Sequence, residues 1–336
     1  MKAWKITDEN KIKICEVKPE KTDDLIKVRI ARAMLTRSDF DAYLGKCDNF
    51  APIIPSKGAI GLISDANNPL GLLVGEKVLV TSYTPPQGEI VDVVRPYSEN
   101  LQIRGLDTDG YLSDFAYANR HAVYSIPEGV SDLKCMYYDY IALSLSTLQR
   151  MNISKGEYVA IVGGDVQSII LAEIVSYYQA IPILISSNTH SLDVAISHGI
   201  DYVINATKDD VSSKVFEITG GKRAEHVCYS VYSELEFSSV FSLACKLGKI
   251  GVIGYNKQKM EVTVDLNKLS ENQFEIYYVK EGMKEIMSTL NLLAMNVINL
   301  SDFDTLTVSF SQVGDTFASY KLGKTPNLVI VDCNDA

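Results

Sequence analysis

The chain has 336 residues, 46% of them hydrophobic, and a formal net charge of −10. That length accommodates two domains with their own cores, and the apolar content lies outside the disordered class. The acidity comes without a basic cluster, which excludes nucleic acid as an expected partner, and no apolar run reaches bilayer-spanning length, which excludes a membrane.

The opening Met1-Lys2-Ala3-Trp4-Lys5-Ile6 lacks the apolar core and cleavage site of a signal peptide, so a cytoplasmic location is expected. The six cysteines (Cys15, Cys47, Cys135, Cys228, Cys245, Cys333) are scattered without a C-x-x-C pair, which argues for reduced thiols. None of the four histidines (His121, His190, His198, His226) is paired at metal-ligand spacing.

Short strands separated by turn signals fill the first 140 residues, as at Ile26–Ala33, Lys77–Thr81 and Ala122–Ile126. They predict a β-rich domain over 1–142. From Gly156 the pattern changes to strand and helix in alternation. Strands are expected at Tyr158–Val162, Ile183–Ser186, Tyr202–Ile204, His226–Tyr229, Lys249–Ile253 and Glu275–Val279. Between them lie the helix-compatible stretches Ile169–Tyr178, Ser191–His198, Val211–Thr219 and Leu235–Leu247, and Lys284–Met295 follows the sixth strand. Such alternation predicts a doubly wound parallel sheet over 143–299. The tail, from about 300 to 336, holds a helix near Val313–Leu322 and a strand at Leu328–Val331. It is expected to return to the β-rich domain.

The stretch Val162-Gly163-Gly164-Asp165-Val166-Gln167-Ser168 joins a buried strand to a helix N-terminus. That arrangement presents backbone N–H groups and a helix dipole to a dinucleotide pyrophosphate. The complete fingerprint has three glycines. Only Gly163 stands at one of those places; Asp165 and Ser168 hold the other two. A carboxylate there works against an anionic ligand.

In the order of its landmarks the chain resembles the zinc-type medium-chain alcohol dehydrogenases, in the branch of polyol and threonine dehydrogenases. Ser38-Asp39-Phe40-Asp41-Ala42-Tyr43 resembles the family's S-D-L-H-x-Y, and Pro55-Ser56-Lys57-Gly58 falls where the family has P-G-H-E. Val74-Gly75-Glu76-Lys77-Val78 is similar to V-G-D-R-V, and Ile126-Pro127-Glu128-Gly129-Val130-Ser131 to I-P-D-G-V-S. Asp107 to Phe115 resembles D-G-D-G-G-F-A-E-Y, and Gly199 to Asn205 resembles G-A-D-x-V-I-N. Thr219-Gly220-Gly221 and Gly248 to Gly254 also fit. The resemblance implies an α/β fold with a GroES-like β domain and a Rossmann domain.

It also implies what has been replaced. The family's zinc-binding cysteine is Thr36 here, its histidine Lys57 and its glutamate Gly58. The further carboxylate of polyol-type members falls near Asp139. The four-cysteine lobe expected between Tyr83 and Gly105 has no cysteine. Both zincs are therefore expected to be absent. The remaining candidates for chemistry are Ser38, whose counterpart in the family relays the alcohol proton, and Lys57, with Asp39, Asp41 or Asp139 to hold its charge. The alternative is a rim lysine paired with a carboxylate and inert.

For the cofactor, NAD or NADP, the resemblance points to Gly163, Gly164, Asp165, Ser168, Gly254 and the second strand's tip. There Ser186 replaces the acid that binds ribose, followed by Ser187 and Asn188, with no cation for a 2′-phosphate. The same residues also read as a turn capped by Ser and Asn. The expected function is a zinc-independent NAD(P)-dependent oxidoreductase acting on a small alcohol or carbonyl compound. The alternative is an inactive homologue that binds a small ligand or a partner. In either case a homo-oligomer, dimer or tetramer, is expected.

Overall fold

The computed structural model describes residues 1–19, 25–47, 51–65, 68–84, 101–255, 261–321 and 328–336. The chain forms two compact units. One contains Met1–Tyr137 with Asp304–Ala336, and the other Tyr138–Asn256 with Met260–Phe303.

The first unit is built on Leu25–Leu35, a long strand in which Ile26, Val28 and Ile30 alternate inward as a half-buried strand requires. It pairs antiparallel with Ala59–Ile63, Phe115–Asn119 and Leu328–Asp332. The sheet continues through Lys77–Val80 to Val123–Ser125 on one side and to Thr305–Ser309 on the other. The C-terminal strand thus completes the sheet begun near the N-terminus. The helix Val313–Lys321 precedes it. Its Phe317 and Tyr320 pack on Phe40, with ring centroids 4.7 and 4.2 Å away, and anchor the short helix Arg37–Tyr43.

The second unit is a six-stranded parallel sheet. Its spatial order is Tyr202–Asn205, Ile181–Ser186, Tyr158–Val162, Ala224–Ser230, Ala244–Ile253, Glu275–Val279. In chain order that is third, second, first, fourth, fifth, sixth: a doubly wound sheet whose direction of winding reverses between its first and fourth strands. The central strands read as apolar runs because helices cover both faces; Ala160, Val162, Ile183, Ile185, Val227 and Ile250 share one core.

One expected helix is absent. Leu235–Leu247 contains only the short 3-10 turn Phe237–Ser242, and the fifth strand begins at Ala244. The buried residues Phe237, Val240 and Leu243 recur every three residues, which suits a 3-10 turn as well as an α-helix. The helix Tyr138–Met151, which opens the second unit, carried no sequence expectation of its own. Among the described residues no helix is long and apolar enough to cross a membrane.

Candidate functional site

In the first unit the helix Arg37–Tyr43 begins at Thr36, its N-cap, and Asp39 folds back on it. The Asp39 carboxylate accepts the N–H of Thr36 at 2.7 Å and its hydroxyl at 3.1 Å. Its other oxygen accepts the N–H of Ser56 at 2.8 Å. A single buried carboxylate therefore ties the helix to the loop 55–58. Burial pushes the Asp39 pKa up, against these hydrogen bonds and the nearby positive charge of Lys57. Ser38 Oγ lies 2.9 Å from Thr36 Oγ1. Because the Thr36 hydroxyl donates to Asp39, Ser38 donates to Thr36. The result is an ordered line of hydroxyls, Ser38 to Thr36 to Asp39.

Lys57 is half-buried and follows a residue in an unusual conformation. Ser56 has φ +85°, a left-handed value that non-glycine residues rarely take, and is fully buried. The surroundings over-determine it. Its hydroxyl donates to Gly58 O at 2.8 Å, and its carbonyl accepts Tyr111 N–H at 3.1 Å. Gly105 and Gly110 lie so close to its backbone that a Cβ on either would overlap it.

Of the expected group Ser38, Asp39 and Lys57, the structure links Ser38 to Asp39 through the Thr36 hydroxyl and places the charge of Lys57 near enough to act on Asp39. Asp41 serves elsewhere: its carboxylate takes Lys46 at 3.1 Å and Arg37 at 3.7 Å. Asp139 belongs to the second unit, on the first turn of the helix Tyr138–Met151, where its charge is felt by Glu281. The segment 85–100, which holds most of the expected four-cysteine lobe, lies outside the described residues.

In the second unit the expected cofactor residues gather at the carboxyl ends of the parallel strands. Asp165 is the N-cap of the helix Val166–Tyr177. Its Oδ1 accepts the N–H of Ser168 at 3.1 Å and also the Ser168 hydroxyl. Its Oδ2 accepts the Ser230 hydroxyl at 2.9 Å. Gly163 and Gly164 have no spare room. A Cβ on Gly163 would overlap Ser168 Oγ and crowd Ser230, and one on Gly164 would overlap Ser186 Oγ.

At the tip of the second strand the Ser186 hydroxyl accepts the N–H of Asn188 at 3.0 Å. Asn188 caps the helix Thr189–Ser197 by accepting the N–H groups of His190 and Ser191. Ser187 donates to Glu234. Gly254 ends the fifth strand at φ +103°, with its N–H on Val279 O at 2.9 Å. The capped-turn reading thus describes the Ser186–Asn188 segment as it stands.

Three residues escaped the sequence reading. Ser230 ends the fourth strand, at the point where the sheet reverses; its place directly after the apolar run His226–Tyr229 was the available signal. Glu281 lies just past the sixth strand, buried and accepting the N–H of Met283, with its carboxyl raised to about 7 chiefly by burial. Nothing in its local sequence marks it. For Ser56 the signal was present, since the family pattern P-G-H-E has glycine where this chain has Ser56.

Residues 169–294 match the family described as zinc-binding dehydrogenase. An uncharacterized zinc-type alcohol dehydrogenase-like protein of Haemophilus influenzae is 25% identical over 319 residues, covering 93% of each chain. D-arabitol-phosphate dehydrogenase of Enterococcus avium is 23% identical over 325 residues, covering 93% of this chain and 91% of that one. Among solved structures, a short chain alcohol dehydrogenase from E. coli CFT073, complexed with cofactor NADH, superposes with a TM-score of 0.85 at 17% identity, covering 99% of each chain.

Proposed function

From membership of the zinc-type alcohol dehydrogenase-like family, to which this chain belongs, we propose a zinc-independent oxidoreductase that interconverts a small alcohol and its carbonyl compound. The observation that carries this reading is Ser56. A buried residue held at φ +85° by five hydrogen-bonding and packing neighbours sits between Asp39 and Lys57. Backbone strain of this kind, about 1–3 kcal/mol, persists where the surrounding structure needs a fixed geometry, as at active sites.

The donors at the family's zinc positions do not suit the metal. Thr36 offers a hydroxyl already engaged with Asp39, Lys57 an ammonium, and Gly58 no side chain. Lys57 can take over one task, donating a charged hydrogen bond to oxygen as negative charge builds on it. The hydroxyl line takes over the other. When an alcohol is oxidised, its proton passes to Ser38 as the Ser38 proton moves to Thr36 and the Thr36 proton to Asp39. Burial suits Asp39 to receive it by favouring the neutral acid. Reduction of a carbonyl runs the line in reverse.

A nicotinamide nucleotide is the proposed redox partner, by likeness to the NADH-complexed neighbour. The hydroxyls and amide of Ser186–Asn188 could face a ribose, but they include neither acid nor cation to choose NAD or NADP. The pyrophosphate turn does not fit as it stands, because Asp165 occupies the Ser168 N–H. That observation favours a second reading, a non-catalytic homologue that binds a small ligand or partner.

Turnover of an alcohol and carbonyl panel separates the two readings. In the catalytic one, Lys57→Met lowers kcat about 100-fold or more while nucleotide affinity changes little. Absence of turnover by the wild type across the panel would leave the second reading. A homo-oligomer belongs to the same proposal, because the edge strand Glu275–Val279 exposes Ile276 and Tyr278 beside an edge that no strand pairs with among the described residues. Sedimentation as a monomer at micromolar concentration would refute it. A cytoplasmic location fits six free cysteines, and localisation of a tagged chain tests it.

A further inference from the structure

At the turn after the strand Tyr158–Val162, the chain's own side chains occupy the helix N-terminus and the space beside both glycines. The amides at a helix N-terminus carry partial positive charge and normally attract phosphate. Here the Ser168 N–H is taken by Asp165, whose second oxygen reaches across to Ser230 on the fourth strand. The hydroxyls of Ser168 and Ser186 and the Cβ of Ser230 fill the space on the side of Gly163 and Gly164 where a side chain would otherwise lie. Ser168, Ser186 and Ser230 are all buried, and the Ser230 hydroxyl also accepts the N–H of Tyr232 at 3.2 Å.

We infer that Asp165 is a built-in anion standing in for phosphate at this helix, so that a dinucleotide binds only when the Asp165 carboxylate lets go of Ser168 and Ser230. The inference rests on the nicotinamide reading proposed above and deepens it. Nucleotide binding is opposed twice, by repulsion between carboxylate and phosphate and by the loss of the hydrogen bonds that Asp165 makes in the empty turn. The same carboxylate stabilises the chain without ligand, as an N-cap does. Affinity for nucleotide and stability without it are therefore set against each other at one residue.

Calorimetric titration with NADH and with NADPH, on wild type, Asp165→Gly and Asp165→Asn, tests this, with a thermal melt of each protein without nucleotide. Asp165→Gly should bind the preferred nucleotide about tenfold or more tighter than wild type. Asp165→Asn, which keeps a capping oxygen and loses the charge, should fall between them. Without nucleotide, Asp165→Gly should melt at the lowest temperature of the three. Should Asp165→Gly fail to fold, the tighter binding of Asp165→Asn carries the test.

If both variants bind no tighter than wild type, including the case where none binds at all, the inference is overturned. Tighter binding in the variants without turnover in any protein would uphold it while sinking the oxidoreductase reading. Wild-type turnover with no gain in variant affinity would do the reverse.

Discussion

Replacing Glu281 by Gln should remove much of the stability that the chain loses as pH rises from 5 to 8. Glu281 follows the edge strand Glu275–Val279 and is buried, 7% exposed, with its carboxylate on the Met283 N–H. The next residue, Gly282, lies against the backbone of Ala142 and Leu143, where a Cβ would overlap it, so the segment has little freedom to move its carboxyl toward water. Burial raises the Glu281 pKa from 4.5 to about 7. The Met283 N–H opposes this, the charge of Asp139 adds to it, and Lys280 and Lys284 oppose it.

Between those two values the folded chain binds the proton that the unfolded chain has released. The contribution is therefore complete below pH 4.5 and is lost as pH climbs through about 7. A gap of 7 minus 4.5, or 2.5 pKa units, corresponds to about 3 kcal/mol. Two histidines shift in opposite directions. Burial alone would lower the pKa of His198, but the hydrogen bond and charge of Glu173 raise it, which gives a loss of the same sign. His226 is lowered by burial and acts in the opposite sense. Urea unfolding of wild type and Glu281→Gln at pH 5, 6.5 and 8 cancels both histidines in the difference. Wild type should lose about 2.5 kcal/mol more than the variant across the range, since part of the effect is already lost by pH 5. Parallel stability curves would refute the reasoning.

Two further perturbations probe the first unit. Asp39→Ala orphans the N–H groups of Thr36 and Ser56 and should destabilise the chain by about 3–5 kcal/mol, whereas Asp39→Asn, which keeps an acceptor, should cost less; chemical denaturation midpoints decide. At Ser56, Gly relieves the left-handed backbone and loses one hydroxyl hydrogen bond, so stability should stay within about 1 kcal/mol of wild type. Val at the same position should cost about 2–4 kcal/mol, and equal melting temperatures for the two variants would contradict the strain.

The parallel sheet was legible in the sequence because strands covered on both faces must be apolar throughout. Tyr158–Val162 is such a strand and appears with the bounds expected of it, as does the more exposed edge strand Glu275–Val279. Leu235–Leu247 was misread because spacing by threes does not tell an α-helix from a 3-10 turn. At the candidate site, the grouping of Ser38, Asp39 and Lys57 came from a family pattern, while the hydroxyl line depends on rotamers that no sequence displays. Asp165 was visible as an unfavourable charge. That it is hydrogen-bonded in place depends in part on Ser230, 65 residues away and brought near only by the strand order. Glu281 was invisible for the same reason, since the packing of its neighbour Gly282 on the backbone of Ala142 and Leu143 and its own coupling to Asp139 are products of topology.

Metal content decides whether the proposed alcohol and carbonyl chemistry proceeds without zinc. Protein prepared without chelators should be assayed by elemental analysis, and the same sample tested for nicotinamide-dependent turnover before and after metal stripping. The account expects well under one zinc per chain and turnover that stripping leaves unchanged, because Thr36, Lys57 and Gly58 offer no thiolate, imidazole or carboxylate. Stoichiometric zinc whose removal abolishes turnover, and whose return restores it, would contradict the account.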